Sequence, residues 1–199
     1  MAPFVPQDPG FETGVRDSFA SLTLMRTVGA RLLRVSPGEV EIDLPFRDDL
    51  IQHHGFLAGA ALTAIVDVAC GYAAMTLMPP GASVLTIEYK VNFLSPAQGE
   101  RVLARGRVVR PGRTVTVCSG DVVALSEGRE KLVATMLATM ATVTLAGRDL
   151  PLTEARPASA SDHRADEGRH GSSRPARPWC VCRGGGLRRR LSEIVRSTS

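Results

Sequence analysis

The segment QHHGFLAGAALTAIVDVACGYAAMTLM, Gln52 to Met78, constrains what this chain can fold into more than any other stretch. Beyond Gly55 it is apolar and built largely of small residues, with one formal charge, Asp67, and no Lys or Arg. Its pattern predicts a helix over Leu57–Met78. A helix that is apolar all round must be enclosed, either by lipid or by the rest of its own fold. Asp67 at the midpoint, the lack of cationic anchors at the ends and the alternating segment that follows all argue against lipid. A sheet curled around one helix is the simpler enclosure. Gly55, Ala58, Gly59, Ala60, Ala61 and Ala64 would let the backbones approach closely.

Asp67 is then the odd residue. Its helical neighbours three and four positions away include Thr63, Ala64, Cys70 and Gly71, none of them positive. A buried carboxylate without a partner is costly and tends to neutralise instead. Two readings stay open. In the structural one, Asp67 bonds a hydroxyl or a backbone N–H, or sits on an exposed rim. In the functional one it is a base or nucleophile in a cleft, where perturbed groups concentrate.

The flanking segments supply the sheet. FETGVRDSFASLTLMRTVG predicts one N-terminal helix with Phe19, Leu22 and Met25 as its apolar stripe. ARLLRV predicts a strand, and Pro37-Gly38 a turn. EVEIDLPF alternates, with Val40, Ile42 and Leu44 on one face and Glu39, Glu41 and Asp43 on the other. After Pro79-Pro80-Gly81, SVLTIEYKVNF places Leu85, Ile87, Tyr89, Val91 and Phe93 on one face and Thr86, Glu88, Lys90 and Asn92 on the other. RVLARGRVVR, RTVTVCSGDVVAL and KLVATMLATMATVTL complete a run of four strands, and their short turns suggest an antiparallel meander. The last is apolar on both faces, which suits the sheet interior or a subunit contact. Strands segregated from one central helix make the fold class α+β.

Charge separates the chain into two parts. Residues 151–199 hold 10 Arg, no Lys and 5 acidic residues, leaving the body with 14 basic against 15 acidic. The body therefore carries no nucleic-acid footprint. The expected organisation is a domain over 1–148, including the N-terminal helix, and a basic disordered tail over 149–199, which is too poor in large apolar residues to fold alone. A weak contact with an anionic surface or RNA, or a read-through or frame-shifted origin, are the other readings of that tail. Cys70, Cys118, Cys180 and Cys182 form no disulfide or metal framework, and Cys70 and Cys118 are expected in the core. MAPFVPQDPGFE lacks the basic start and apolar run of a signal peptide, so a cytoplasmic location is expected.

Several short motifs occur in a telling order: Gln52-x-x-Gly55-x-x-Ala58-Gly59-Ala60, then Asp67, then Gly81-x-x-x-Leu85-Thr86-x-Glu88, then Phe93-Leu94-x-Pro96, then Gly112-Arg113. Together, over residues 35–145, they resemble the PaaI-type hotdog thioesterases of the wider 4-hydroxybenzoyl-CoA thioesterase superfamily. The resemblance implies a hotdog fold, an antiparallel sheet wrapped around one long helix. It implies hydrolysis of an acyl- or aryl-acyl-CoA to the free acid and CoA, in a homodimer or tetramer, without cofactor or metal. Asp67 would be the base or nucleophile, the Gly59 backbone N–H would polarise the carbonyl, and Gln52 and Thr86 would assist. Asn92, Phe93, Arg110 and Arg113 fall at positions implied to bind substrate, although ordinary solvated turn arginines explain the last two equally well. The pieces of a site would come from two subunits.

The chain departs from the family pattern at Ala58, where the family loop carries His, and at Ala60, where it carries Gly. His53 and His54 are at the wrong offset to replace the former and are taken as loop residues. The departure keeps a second reading open, a non-catalytic acyl-CoA binding or sensing module on the same fold. A hotdog dehydratase or hydratase would want a helical His beside an acid, and the central segment has none beyond the loop.

Overall fold

A computed structural model describes residues 4–144. The tail and its two cysteines, Cys180 and Cys182, lie outside the described residues. The order is α1 (Phe11–Ser21), α2 (Thr23–Val28), β1 (Arg31–Ser36), β2 (Glu39–Pro45), α3 (Gly59–Met75), β3 (Ala82–Phe93), β4 (Arg101–Arg110), β5 (Val115–Ser126) and β6 (Arg129–Thr144). Six antiparallel strands form one sheet in the order β1-β2-β4-β5-β6-β3. The sheet curls around α3, which rests on β2 to β6. This is the α+β layout expected from the sequence.

The N-terminal helix is broken, not continuous. The Ser21 hydroxyl donates to the Ser18 carbonyl at 2.7 Å, competing for the acceptor that the Leu22 N–H would use in a helix. The Leu22 N–H turns to the Phe19 carbonyl instead, and Leu22 adopts extended dihedrals. The break lets α1 bury Val15 and Phe19 while α2 buries Met25 and Val28. Leu22, expected in the middle of the stripe, becomes a partly exposed corner.

The strands follow their patterns. Val40, Ile42 and Leu44 enter the core beside Ile65, Val66, Val102, Val122 and Met140. Asp43, on the other face, is wholly buried, with Arg31 donating to its Oδ2 at 2.6 Å and Arg101 lying 3.6 Å from its Oδ1. At Gly106 the sheet touches the helix backbone, since a Cβ there would strike the Ala69 carbonyl and lie 2.6 Å from the Cys70 nitrogen. Cys70 and Cys118 are core residues, as expected. Burial pushes the Cys118 thiol up to about 12 and raises that of Cys70 as well, so neither forms a thiolate readily.

Three further expectations are corrected. The central helix has 17 residues, because Ala58 is extended and the chain leaves the helix at Thr76. No helix among the described residues is long and apolar enough to cross a membrane. The last four strands are not a simple meander: β4, β5 and β6 are, but β3 crosses to the far edge and pairs with β6. That places β6 in the sheet interior, where its two apolar faces fit. Finally, β3 does not alternate throughout. Its register with β6 shifts between Thr86 and Glu88, leaving Ile87 as a bulge. Thr86 opposes buried Met140, and Tyr89, Val91 and Phe93 oppose Ala138, Met136 and Ala134. Thr86 therefore shares the helix-facing side with Tyr89, Val91 and Phe93, while Leu85 and Asn92 face away.

Candidate active site

The enclosure of α3 is incomplete. Ala61, Leu62, Ile65, Val66, Ala69, Cys70 and Ala73 are buried, but Ala60 is exposed and Thr63, Ala64, Asp67 and Val68 are only half-buried. The lone carboxylate lies on this open stripe, at the rim rather than sealed in the core.

Among the described residues Asp67 has one hydrogen-bond partner. The Thr86 hydroxyl donates to its Oδ1 at 2.9 Å, reaching from β3 across to the middle of α3. Burial raises the Asp67 carboxyl above its ordinary range, and the Thr86 bond pulls it partway back. Among the described residues no cation offsets that burial, and a carboxyl raised in this way is suited to act as a general base. The two residues line a cleft of about 240 Å³, with walls from α1, α3 and β3.

A second cleft, of about 450 Å³, opens at the start of α3 and is lined by Gln52, Gly59 and Phe93 among others. Ala58 occupies the N-cap position without a side-chain cap. Among the described residues, neither the Gly59 nor the Ala60 N–H finds an acceptor. These free donors at the positive end of a long helix suit a developing oxyanion. The Phe93 ring packs on Gly59 so closely that a Cβ there would sit 2.9 Å from Cζ. The Gln52 N–H bonds the Phe56 carbonyl at 2.8 Å and its carbonyl accepts from the Gly55 N–H at 3.1 Å, fixing the loop. His53 and His54 are exposed on it.

The sequence-expected residues thus fall into groups. Asp67 and Thr86 meet. Gln52, Gly59 and Phe93 meet. The two groups lie at opposite ends of the open stripe, eight residues apart along α3, or about 12 Å at the helical rise. Asn92 is exposed on the far face of β3 and joins neither: alternation sets it opposite its neighbour Phe93, and the bulge at Ile87 takes it off the Thr86 side as well. Arg113 lines a third cleft, of about 330 Å³, beyond the C-terminal end of α3, and Arg110 is exposed at the end of β4. Residues not foreseen are Ala60, for its free N–H, and Ser18, Gly71 and Tyr72 around the Asp67 cleft. Tyr72 carried a signal, as the one aromatic side chain in α3.

The thioesterase superfamily model matches residues 54–131, which takes in α3, β3, β4 and β5. A thioesterase family protein from Silicibacter pomeroyi is 47% identical, with a TM-score of 0.67 over 68% of this chain and 99% of that one. A candidate esterase from Halobacterium salinarum is 32% identical over 105 residues, 50% of this chain and 69% of that protein. The chain belongs to the thioesterase superfamily. This thioesterase-superfamily chain also superposes on the PaaI protein of the Escherichia coli phenylacetic acid degradation operon. The TM-score is 0.62 and the identity 15%, over 69% of this chain and 96% of that one, a likeness of fold. The hotdog architecture expected from the motif order is therefore the fold of this superfamily member.

Proposed function

We propose that this protein is an acyl-CoA thioesterase that works as a symmetric pair of subunits. The observation that carries the proposal is the half-buried Asp67, held by Thr86 and, among the described residues, without any cation, on the same helix face as the Gly59 and Ala60 N–H groups, which find no acceptor among those residues. Asp67 takes a proton from water as the water oxygen attacks the thioester carbon. The Gly59 N–H holds the charge that develops on the carbonyl oxygen. As the tetrahedral intermediate collapses, the C–S bond breaks and the CoA sulfur takes the proton held by Asp67, releasing the free acid and restoring the carboxylate. Gln52 orients the water or the carbonyl. Arg113 and Arg110, exposed around the β4–β5 turn, offer charge to the phosphates of CoA.

The pairing follows from β3. This strand is the edge of the sheet, and its apolar side chains are open: Leu85 is 61%, Ile87 58% and Phe93 53% exposed. Long apolar edges are seldom left uncovered. A second copy joined edge to edge about a two-fold axis runs antiparallel. The Thr86 end of one β3 then lies near the Phe93 end of the other, so that Asp67 of one subunit approaches Gly59 of its partner. That arrangement removes the 12 Å gap between the half-sites, about eight helical rises.

Thiol release from a panel of acyl-CoAs, with wild type and Asp67→Asn, tests the proposal. Turnover that disappears with Asp67 supports it. Tight acyl-CoA binding without turnover favours the non-catalytic module, for which Ala58 in place of the family His is the specific argument. The domain boundary near residue 148 is part of the same proposal: a chain ending at Arg148 should retain turnover.

A further inference from the structure

Gly71 is out of place on energetic grounds. It lies inside α3, one turn beyond Asp67, in ordinary helical geometry. A glycine there costs about 1 kcal/mol relative to alanine. Gly106 has a steric reason, since it lies against the helix backbone. Gly71 has none among the described residues, since an added Cβ would meet only Val84 Cγ1, at an ordinary 3.7 Å. The space beside it is the Asp67 cleft, which Gly71 lines together with Val68, Met75 and Val84. Leu22, the corner residue of the α1–α2 break, closes the opposite wall. That wall is fixed in place, because the Ser18 and Tyr72 hydroxyls bond at 3.0 Å and tie α1 to α3.

We infer that this cleft receives the acyl group of the substrate, and that Gly71 and Leu22 set the bulk it accepts. Resting on the thioesterase reading above, this assigns the substrate class as CoA esters of compact acyl groups rather than long-chain fatty acids. A cavity of about 150 Å³ holds a benzene, and the cleft here offers about 240 Å³. A ring or a short branched chain fits, whereas an extended long chain would run into Leu22 and the helix it heads. The missing methyl of Gly71 lies where the first carbons of the acyl group must pass on their way from Asp67.

The test uses Gly71→Ala and Leu22→Ala in the full chain, each also combined with Asp67→Asn. Acetyl-, isovaleryl-, benzoyl- and palmitoyl-CoA are the probes. Binding constants are measured on the Asp67→Asn background, so the result does not depend on turnover. Kinetics are measured with Asp67 intact, and native mass by light scattering. Gly71→Ala should lower the preference for benzoyl- over acetyl-CoA by tenfold or more, since a misplaced methyl in an apolar pocket shifts selectivity about 10- to 200-fold. Leu22→Ala should shift it toward longer chains. Unchanged ratios in both variants would overturn the assignment. So would tight palmitoyl-CoA binding by the otherwise unaltered protein. A Gly71→Ala protein of altered native mass with uniform loss across the panel would show Gly71 to be a packing contact between subunits instead. Failure of wild type to hydrolyse any probe would defeat the thioesterase reading alone, because the binding ratios still decide this one.

Discussion

The Thr86 hydroxyl and the Asp67 carboxylate, 19 residues apart in sequence, meet at 2.9 Å across the gap between β3 and α3. A helix residue and an edge-strand residue are thereby joined at the one point where the apolar helix carries charge. The bond favours the ionised form of Asp67 against burial, which favours the neutral form.

Asp67→Asn should lower kcat by about 10²–10⁴-fold, the usual contribution of a general base. Circular dichroism should be unchanged. Retained turnover in a folded variant would remove Asp67 from the mechanism.

The same substitution should not destabilise the protein at neutral pH. The folded state holds the Asp67 proton more tightly than the unfolded chain does, because the folded pKa is raised. Stability therefore falls as pH rises from the unfolded value of about 3.8 through the folded value, and Asp67 is a liability above that window. Asp67→Asn should match or exceed wild type in Tm at pH 7, with the advantage vanishing below pH 3.8. A thermal-unfolding series across pH reads the sign directly.

Thr86→Ala removes the bond that lowers the Asp67 pKa while burial remains. The acid limb of the kcat/KM profile should move to higher pH, since a base works only once ionised. An acid limb in the same place, with activity merely scaled down, would mean that Thr86 acts on substrate and not on Asp67.

Gly59→Ala leaves the backbone N–H in place but drives a methyl into the Phe93 ring, 2.9 Å away at Cζ. Displacement of the ring and of the helix start should cost on the order of 10²-fold in kcat/KM, as ångström-scale misplacement does. Gly59→Ala with Phe93→Leu should recover part of the loss. No recovery would separate the defect from the Phe93 contact.

Lysines on the β3 edge, as in Ile87→Lys with Tyr89→Lys, should yield a folded monomer without turnover, because charged edges resist strand addition. Sedimentation read alongside thiol release checks both halves. A monomer of full activity would mean that each chain completes its own site.

Local chemistry made much of this fold legible. Alternation at Glu39–Pro45 and turn residues such as Pro111-Gly112 mark strands and their ends without reference to anything distant. The helix was overextended because Leu57, Leu77 and Met78 are buried although none is helical, and hydropathy reports burial rather than conformation. The crossing of β3 to the far edge depends on pairing with a strand some fifty residues away, which no local pattern encodes. Asp67 stood out by its isolation. Period-two alternation puts Asn92 on the Thr86 face and Phe93 on the other, but it hides a single extra residue, which brings Phe93 to the Thr86 side and leaves Asn92 opposite.

That extra residue sets the parity of the strand. Thr86 and Phe93 are seven positions apart, an odd interval, and in an unbulged strand they would point to opposite sides of the sheet. Ile87 absorbs one step and turns both toward α3. Deleting Ile87 would leave β3 long enough and apolar enough to pair as before, yet it could present either the partner of Asp67 or the ring over Gly59, never both. The two ends of the site are thus kept in phase by a residue that lines neither cleft.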